Sequence, residues 1–589
     1  MFCRFDDLRN GLAMAFEKPV ATVTAMSEAE VLPVLAAVED ANREGRWAAG
    51  FVSYEAAGGL DPALATPRVG PGGPLGDLPL ASFGIFEGPV HAEPLTSSTT
   101  TRRHYVVEPW EPELDLAAYT GKIECLKEHI EAGDTYQCNL TLRMRSRARG
   151  DLLALYGDLA LAQRGSYNAY VDTGRFVLAS ASPELFFEWS DGWLVTKPMK
   201  GTCARGRWPS EDADHARWLA GSRKDRAENL MIVDLLRNDL GRVAEWGSVE
   251  VPALFELERY ETLWQLTSTV RARPRSGIRL EELFRALFPC GSVTGAPKPR
   301  TMALIAELEE SRRGAYCGSI GVAAPSASHW RARFNVAIRT VVVDRKTAQA
   351  VYGTGGGITW DSSAATEHAE LMTKAAILAA PPEEFALVET LAFIPGKGLR
   401  NGERHLHRLM ESAKYFGFDI DVERVRSVLE ASVAGLGESR RVRLLVARSG
   451  YPSVELGPMP SSMSRAVVLD VDTEPVSSAE IWPYHKTTRR SAYETRAARH
   501  PGADDVILVN ERGQPTETTI ANLAVNLDGR WWTPPIETGC LPGIERCRLV
   551  ELGNLTDRVL TLDDLTRAAG IAVVSSLRGW RRAVLVIGK

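Results

Sequence analysis

The stretch 379-AAPPEEF-385 decides how the chain divides. A helical pattern ends in alanines there. The two prolines remove backbone donors and crowd the preceding turn, so the helix stops. A new apolar run, 385-FALVETLAFI-394, follows at once. The break predicts one unit over 1–380, a linker over 381–385 and a second unit over 386–589. A chain of 589 residues is in any case too long for a single hydrophobic core.

Composition narrows the class. Apolar residues make up 44% and charged residues 24%, the balance of an ordinary globular chain. A net charge of −6 offers no basic footprint for nucleic acid. No apolar run reaches the ~18 residues that a membrane helix needs. Neither nucleic acid nor membrane is therefore an expected partner. The start, MFCRFDDLRNG, has early acidic residues and no apolar segment, which argues against a signal peptide. The eight cysteines are scattered without a CxxC pair, and a cytoplasmic location fits them best.

Residues 66–79 (TPRVGPGGPLGDLP) read as a surface loop and 271-RARPRSG-277 as a turn. Helical spacing predicts helices from Leu116 to Ala132 and from about Lys224 to Leu240. The runs 175-RFVLASA-181 and 192-GWLVTK-197 read as strands.

Several charged residues stand where a bland reading and a chemical one compete. Glu228 shares a helical face with Met231, Ile232 and Leu235. It either salt-bridges at the rim of that face or meets a cation, because a carboxylate among apolar groups is costly unless paired. Glu367, Glu370 and Lys374 share a face in 366-TEHAELMTKAAILAA-380. Glu370 with Lys374 is either an ordinary i,i+4 surface pair or part of a carboxylate set around a hard cation such as Mg2+. The run 353-GTGGGIT-359 is either a bend at a strand end or a place where backbone N–H groups meet an anion. It is not a dinucleotide fingerprint, and 291-GSVTGAPK-298 lacks the ending of a phosphate loop. Arg339, in 335-NVAIRTVVV-343, either snorkels to solvent or faces a bound carboxylate. Lys200, in 194-LVTKPMKGTCARG-206, follows a β-rich run and a proline, an unusual place for a flexible ammonium.

Taken together, GDTYQCNLTLR (133–143), SASPELFF (180–187), KPMKGT (197–202), KDRAENLMIVDLLRNDLGRV (224–243), FPCGSVTGAPK (288–298), CGSIGV (317–322), AIRT (337–340) and YGTGGGI (352–358) resemble the chorismate-utilising enzymes. The resemblance implies Mg2+ held by Glu228 and Glu370 with Glu367 beside them. It implies substrate contacts from Thr202, Arg339, Lys374, Gly355 and Gly356. Anthranilate synthases carry alanine at the position of Lys200, and aminodeoxychorismate synthases carry lysine. The resemblance therefore implies Lys200 as a nucleophile toward the chorismate ring, which it can be only when deprotonated, and Glu184 as the proton-transfer carboxylate. Three departures from the pattern stand out, at Cys290, at Val322 and at the pair Trp264–Gln265, and none receives a role.

In the second unit Arg408, Lys486 and Glu517 each read singly as a solvated charge. With 389-ETLAF-393, 405-HLHRL-409, 543-GIERCRL-549 and 574-VSSLRGW-580 they resemble the pyridoxal-phosphate (PLP) enzymes of fold type IV. That resemblance implies Lys486 as the cofactor-bearing lysine and Glu517 as the partner of the pyridinium nitrogen. It implies a phosphate cradle from Arg408, the backbone near Ile544 and the hydroxyl of Ser575 or Ser576.

The expected fold is α+β: a large chorismate-binding domain of sheet sandwich and helices, then a fold type IV domain of two α/β subdomains. The expected function is 4-aminobenzoate synthesis from chorismate, by an aminodeoxychorismate synthase and an aminodeoxychorismate lyase in one chain. The lyase rests on the pairing of the two units, since the C-terminal motifs suit an amino acid aminotransferase equally. The alternative is an anthranilate- or isochorismate-type synthase joined to an aminotransferase. No cysteine sits in a Gly-x-Cys-x-Gly elbow, so ammonia is expected from a separate glutamine amidotransferase subunit or from solution. The second resemblance also implies a homodimer through the PLP domain.

Overall fold

A computed structural model describes residues 1–67, 75–96, 104–378, 384–461 and 465–586. The predicted break at 379–383 and the middle of the predicted 66–79 loop lie outside these residues. The chain forms two compact units, one of Met1–Ala204 with Ala216–Pro382 and one of Arg205–His215 with Glu383–Lys589.

The first unit is built on two ten-stranded antiparallel sheets. Phe16, Val171, Leu178 and Val342 from one sheet meet Phe51, Phe86, Ile320 and Val322 from the other in a shared apolar layer. Helices cover the outer faces. Glu28–Arg43, Arg223–Gly241 and Leu280–Leu287 bury their apolar stripes on one sheet, and Leu116–Glu131, Leu152–Gln163 and Ala364–Ala375 on the other. The sandwich-and-helix expectation holds, and the predicted helices at 116 and 224 and strands at 176 and 193 lie where their patterns placed them.

The run 353–357 is not a bend. It lies inside the strand Gln349–Ile358, paired along its length with Gln137–Gly150. A Cβ at Gly355 would sit 2.5 Å from Thr141 Cγ2, so the close packing of these strands requires glycine there. The long strand is anchored from below by a buried ion cluster. Glu309 accepts from Arg143 (2.8 Å), from Arg313 (2.7 and 2.9 Å) and from the Thr141 hydroxyl (2.7 Å). The two guanidiniums overcome burial and hold its carboxyl well below the ordinary range.

The second unit has two sheets. A four-stranded antiparallel sheet, ordered Gly398–Leu399, Leu387–Ile394, Arg440–Val446, Pro452–Pro458, is covered by helices Gly402–Phe416 and Val422–Val433. An eight-stranded mixed sheet pairs Val467–Val476 in parallel with both Asp505–Asn510 and Gly579–Leu585. This agrees with two mixed subdomains. The segment Arg205–His215 groups with this unit. Arg205 binds Asp212 through Nε (2.6 Å) and Nη2 (2.7 Å), and Tyr415 Oη donates to Gly206 O (2.6 Å).

Glu309→Gln should destabilise the first unit by about 3–5 kcal/mol at neutral pH, because it leaves two buried guanidiniums without their counter-charge. The lowered carboxyl contributes stability above its ordinary pKa and loses it as the pH falls. Urea titrations of wild type and variant should therefore converge in acid.

Candidate functional sites

The N-terminal cavity opens where the glycine strand, the strand Met199–Ala204 and the helices Arg223–Gly241 and Ala364–Ala375 converge. Every residue predicted for this site lines it: Glu184, Lys200, Thr202, Glu228, Arg339, Gly355, Gly356, Glu367, Glu370 and Lys374. Lys200 stands on the strand Met199–Ala204, at the edge of its sheet. A Cβ at Gly357 would lie 3.1 Å from its Nζ and 2.2 Å from Gln137 Nε2. Burial lowers the pKa of the Lys200 amine, against the attraction of Glu228, and Lys374 lowers it further. Asn229, 0% exposed, holds the strand from behind, donating to Lys200 O (3.4 Å) and Leu266 O (3.3 Å) while accepting from Ser268 Oγ (2.6 Å).

The three predicted carboxylates are unlike in state. Burial raises Glu228, against the pull of Lys200 and Lys224. Burial also raises Glu367, opposed by a hydrogen bond from Ser362 Oγ (2.7 Å) and helped by the Glu370 charge. For Glu370 burial is outweighed by Lys374, whose Nζ lies 2.8 Å away and also donates to Gly355 O (2.9 Å). The Glu370–Lys374 pair is thus both an i,i+4 pair and part of the cavity. Among the described residues no group of three His, Cys, Asp or Glu side chains is disposed to hold a metal by itself. The oxygen-only set still fits Mg2+, which takes a few carboxylates and completes its octahedron with water and ligand oxygens. Burial disfavours the charged forms of Glu228 and Glu367, and a bound divalent cation would oppose that.

Glu184 faces Lys200 from the side of Ser292. It is 2% exposed, and its Oε1 has no hydrogen-bond partner among the described residues. Burial pushes its carboxyl up to about 7, against Ser292 and Lys200. Arg339 sits between two strands at φ 50°, a left-handed conformation uncommon for a residue other than glycine. It bonds Gln163 Oε1, and burial lowers its pKa.

The departures from the family pattern sort themselves by place. Val322 is in the apolar layer between the sheets. Cys290 is buried and accepts from Ser292 Oγ (3.2 Å). Gln265 lines the cavity, donating from Nε2 to Gly201 O (2.9 Å) and accepting from Thr202 Oγ1 (3.1 Å). It clasps the two residues after Lys200, a role that no local sequence signal announces, since the strand Leu263–Ala272 is far off in the chain.

The C-terminal cavity lies between the two sheets of its unit. Arg408, Lys486, Glu517, Ile544 and Ser575 all line it. Burial is the largest cause lowering the Lys486 amine to about 8; Arg408 and Arg490 lower it further, against Glu389 and Glu517. Glu517 is raised to about 7 by burial, against hydrogen bonds from Tyr493 Oη (3.1 Å) and Leu541 N (3.2 Å). Ile544 opens the helix Ile544–Glu551, so its N–H lies among the unsatisfied donors of the first turn. Arg408 is bidentate to Glu389 (2.9 and 2.6 Å), and Glu389 also bonds His405 Nδ1 (2.6 Å). His405 Nε2 in turn lies 2.8 Å from Ser576 Oγ. This buried chain, which fixes Arg408 and Ser576 together, went unseen in the sequence because Glu389 and His405 read there only as motif letters. A lysine, an opposed buried carboxylate, an arginine, hydroxyls and helix N–H groups fit a phosphorylated pyridine aldehyde.

Residues 2–380 match the family profile of chorismate binding enzymes, and residues 386–586 that of amino-transferase class IV. The aminodeoxychorismate synthase component 1 of Klebsiella aerogenes is 41% identical over 265 residues, 45% of this chain and 58% of that protein. The aminodeoxychorismate synthase of Streptomyces pristinaespiralis is 42% identical over 261 residues, 44% of this chain and 36% of that protein. The matched part thus spans about a third to three fifths of these curated relatives. Anthranilate synthase component I from Streptococcus pneumoniae shares the fold, with TM-score 0.53 and 24% identity over 64% of this chain and 91% of that one.

Glu184 carries a raised pKa, so the folded state keeps a proton between about 4.5 and about 7 that the unfolded chain has lost. Its stabilising contribution declines as the pH rises through that window. An infrared carboxyl band bleaching near pH 7, absent in Glu184→Gln, checks this. Gly357→Ala should cost the first unit about 1–3 kcal/mol in urea titration, by displacing the Gln137 amide.

Proposed function

We propose, for a chain that belongs to the chorismate binding enzyme family over residues 2–380 and carries an amino-transferase class IV domain over 386–586, that it makes 4-aminobenzoate from chorismate in two steps. The observation that carries this reading is Lys200. Its amine enters the same cavity as three carboxylates, a buried acid, an arginine and a glycine-lined strand.

In the first step Lys200 Nζ attacks C2 of the ring. Both ring double bonds shift, from C1=C2 and C5=C6 to C1=C6 and C4=C5, the C4–O bond breaks, and hydroxide leaves with a proton from Glu184, which near neutrality still holds one. Ammonia then forms the C4–N bond, both double bonds return to their first positions, and the C2–N bond to Lys200 breaks. The product is 4-amino-4-deoxychorismate. Lowering of the Lys200 pKa by burial supports the nucleophilic role. Mg2+ among Glu228, Glu370 and Glu367 would neutralise the ring carboxylate. Arg339 and Lys374 are placed for the substrate's acidic groups, and Thr202, Gly355 and Gly356 for its oxygens. Ammonia would come from a glutamine amidotransferase subunit, a reading supported by the name component 1 of the Klebsiella relative.

In the second step PLP would supply an electron sink conjugated to the substrate amine. Arg408, Ile544 N–H and Ser575 are placed to hold its phosphate, and Glu517 its ring nitrogen. Lys486, lowered to about 8, takes the C4 proton near neutral pH. The bond from ring to enolpyruvyl oxygen then breaks, pyruvate leaves, and the ring becomes aromatic.

Purified protein given chorismate, ammonia, Mg2+ and PLP should yield 4-aminobenzoate by chromatography. 2-Aminobenzoate or salicylate would instead indicate an anthranilate- or isochorismate-type synthase. Lys200→Ala should stop ring amination yet still convert supplied 4-amino-4-deoxychorismate. Lys486→Ala should let that intermediate accumulate. A normal rate of 4-aminobenzoate formation by Lys486→Ala would assign the elimination to another protein.

A further inference from the structure

The cations that line the N-terminal cavity are Lys200, Lys224, Arg339 and Lys374. Three of them have acids for company. Lys374 Nζ lies 2.8 Å from Glu370, Lys224 Nζ lies 3.9 Å from Glu228, and Glu228 and Glu184 both act on the Lys200 amine. Arg339 is different. Among the described residues no carboxylate comes within ion-pair distance of its guanidinium, and the groups that act on its charge besides burial are Tyr352 and Tyr260. Burial keeps the Tyr352 hydroxyl protonated, pushing it up to about 12. Arg339 thus faces the cavity as a cation without a counter-charge.

What holds it is an amide. Arg339 Nη1 donates to Gln163 Oε1. Gln163 is 4% exposed, ends the helix Leu152–Gln163 and does not itself line the cavity. The helix end is pinned. Arg164 follows at φ 51° and donates to Ala160 O (2.7 Å), and Gly165 O accepts from both Leu8 N (3.1 Å) and Asn168 Nδ2 (2.6 Å). The backbone of Arg339 is fixed as well, since its carbonyl accepts from Ala181 N (3.0 Å). The other end of the Gln163 amide has no such place: Nε2 is buried with no partner among the described residues. An orphaned buried donor is costly, so only the oxygen of this side chain finds use. A glutamate would supply the same oxygen without the orphan. It would also bring a full negative charge, form a charge-assisted pair with the guanidinium and compete with any anion in the cavity.

We propose that Gln163 is a positioning residue for the first step: its amide oxygen aims the Arg339 guanidinium into the cavity without neutralising it, and so sets the affinity for the substrate's acidic group. The proposal rests on the reading of Arg339 as a contact for that group. A carboxylate at position 163 would satisfy the fold and spoil the site, whereas the amide orients the fork and leaves its charge to the ligand.

Full-length Lys200→Ala protein, which lacks the attacking amine, is titrated calorimetrically with chorismate in Mg2+, alone and with a second substitution. Arg339→Gln should weaken binding at least ~10-fold. Gln163→Glu, nearly the same shape, should also weaken it at least ~10-fold while melting at or above the parent's temperature. Gln163→Met, which loses the acceptor without adding charge, should weaken it roughly 3-fold. With Lys200 in place and ammonia supplied, Gln163→Glu should raise KM for chorismate and leave kcat within ~2-fold, the mark of lost binding rather than lost chemistry. A residue that served the fold alone would behave otherwise, because glutamate restores the acceptor and would bind chorismate as the parent does. That result would overturn the proposal, as would a loss of affinity accompanied by a lowered melting temperature. Should Arg339→Gln bind chorismate like the parent, the reading of Arg339 falls and takes the proposal with it. Should Arg339→Gln lose affinity and Gln163→Glu keep it, the proposal alone falls.

Discussion

The N-terminal site depends on two strands and a lysine approaching more closely than side chains allow. The strand Gln349–Ile358 runs beside Gln137–Gly150, and at Gly357 the space a methyl group would fill is taken by the Gln137 amide and the Lys200 amine. Only a chain without Cβ atoms can form this floor. The floor is held in turn by Glu309, whose carboxylate joins Thr141, Arg143 and Arg313 beneath the same strand. Packing and electrostatics thus serve one end, which is to keep an amine against bare backbone and within the field of several carboxylates.

Each of the two cavities holds an amine drawn below its ordinary pKa. Burial does most of this for both lysines, because the charged form loses more hydration than the neutral one. The same burial acts oppositely on the acids across from them, raising Glu184 and Glu517 alike to about 7. Amine and acid are therefore drawn toward each other on the pH scale, the condition for proton exchange between matched groups. What differs is the surrounding charge. The first cavity mixes carboxylates and ammonium groups, whereas the charged groups lining the second are mostly guanidiniums.

Much of this was legible in the residues. Helical spacing placed Glu228 and the 366–375 face correctly, because amphipathic helices write their contacts into local periodicity. The glycine run was ambiguous, since glycine permits a bend as readily as a close approach, and only the facing side chains decide between them. Gln265 was illegible: it acts on Gly201 and Thr202 across a sheet, and strand pairing between distant segments leaves no local trace. The same holds for Glu389, His405 and Ser576, which form one chain of hydrogen bonds from three parts of the second unit.

The amino-acid sequence alone determined the class of each unit and the main helices and strands, and it marked two lysines as candidates, since these rest on local pattern and on motif letters. The tertiary structure decided that 353–357 is strand, that 205–215 packs with the C-terminal unit, and that six further arginines share one cavity. Those facts depend on residues far apart in the chain being brought within a few ångströms, and the burial and neighbouring charges that shift the pKa values described above exist only once they meet.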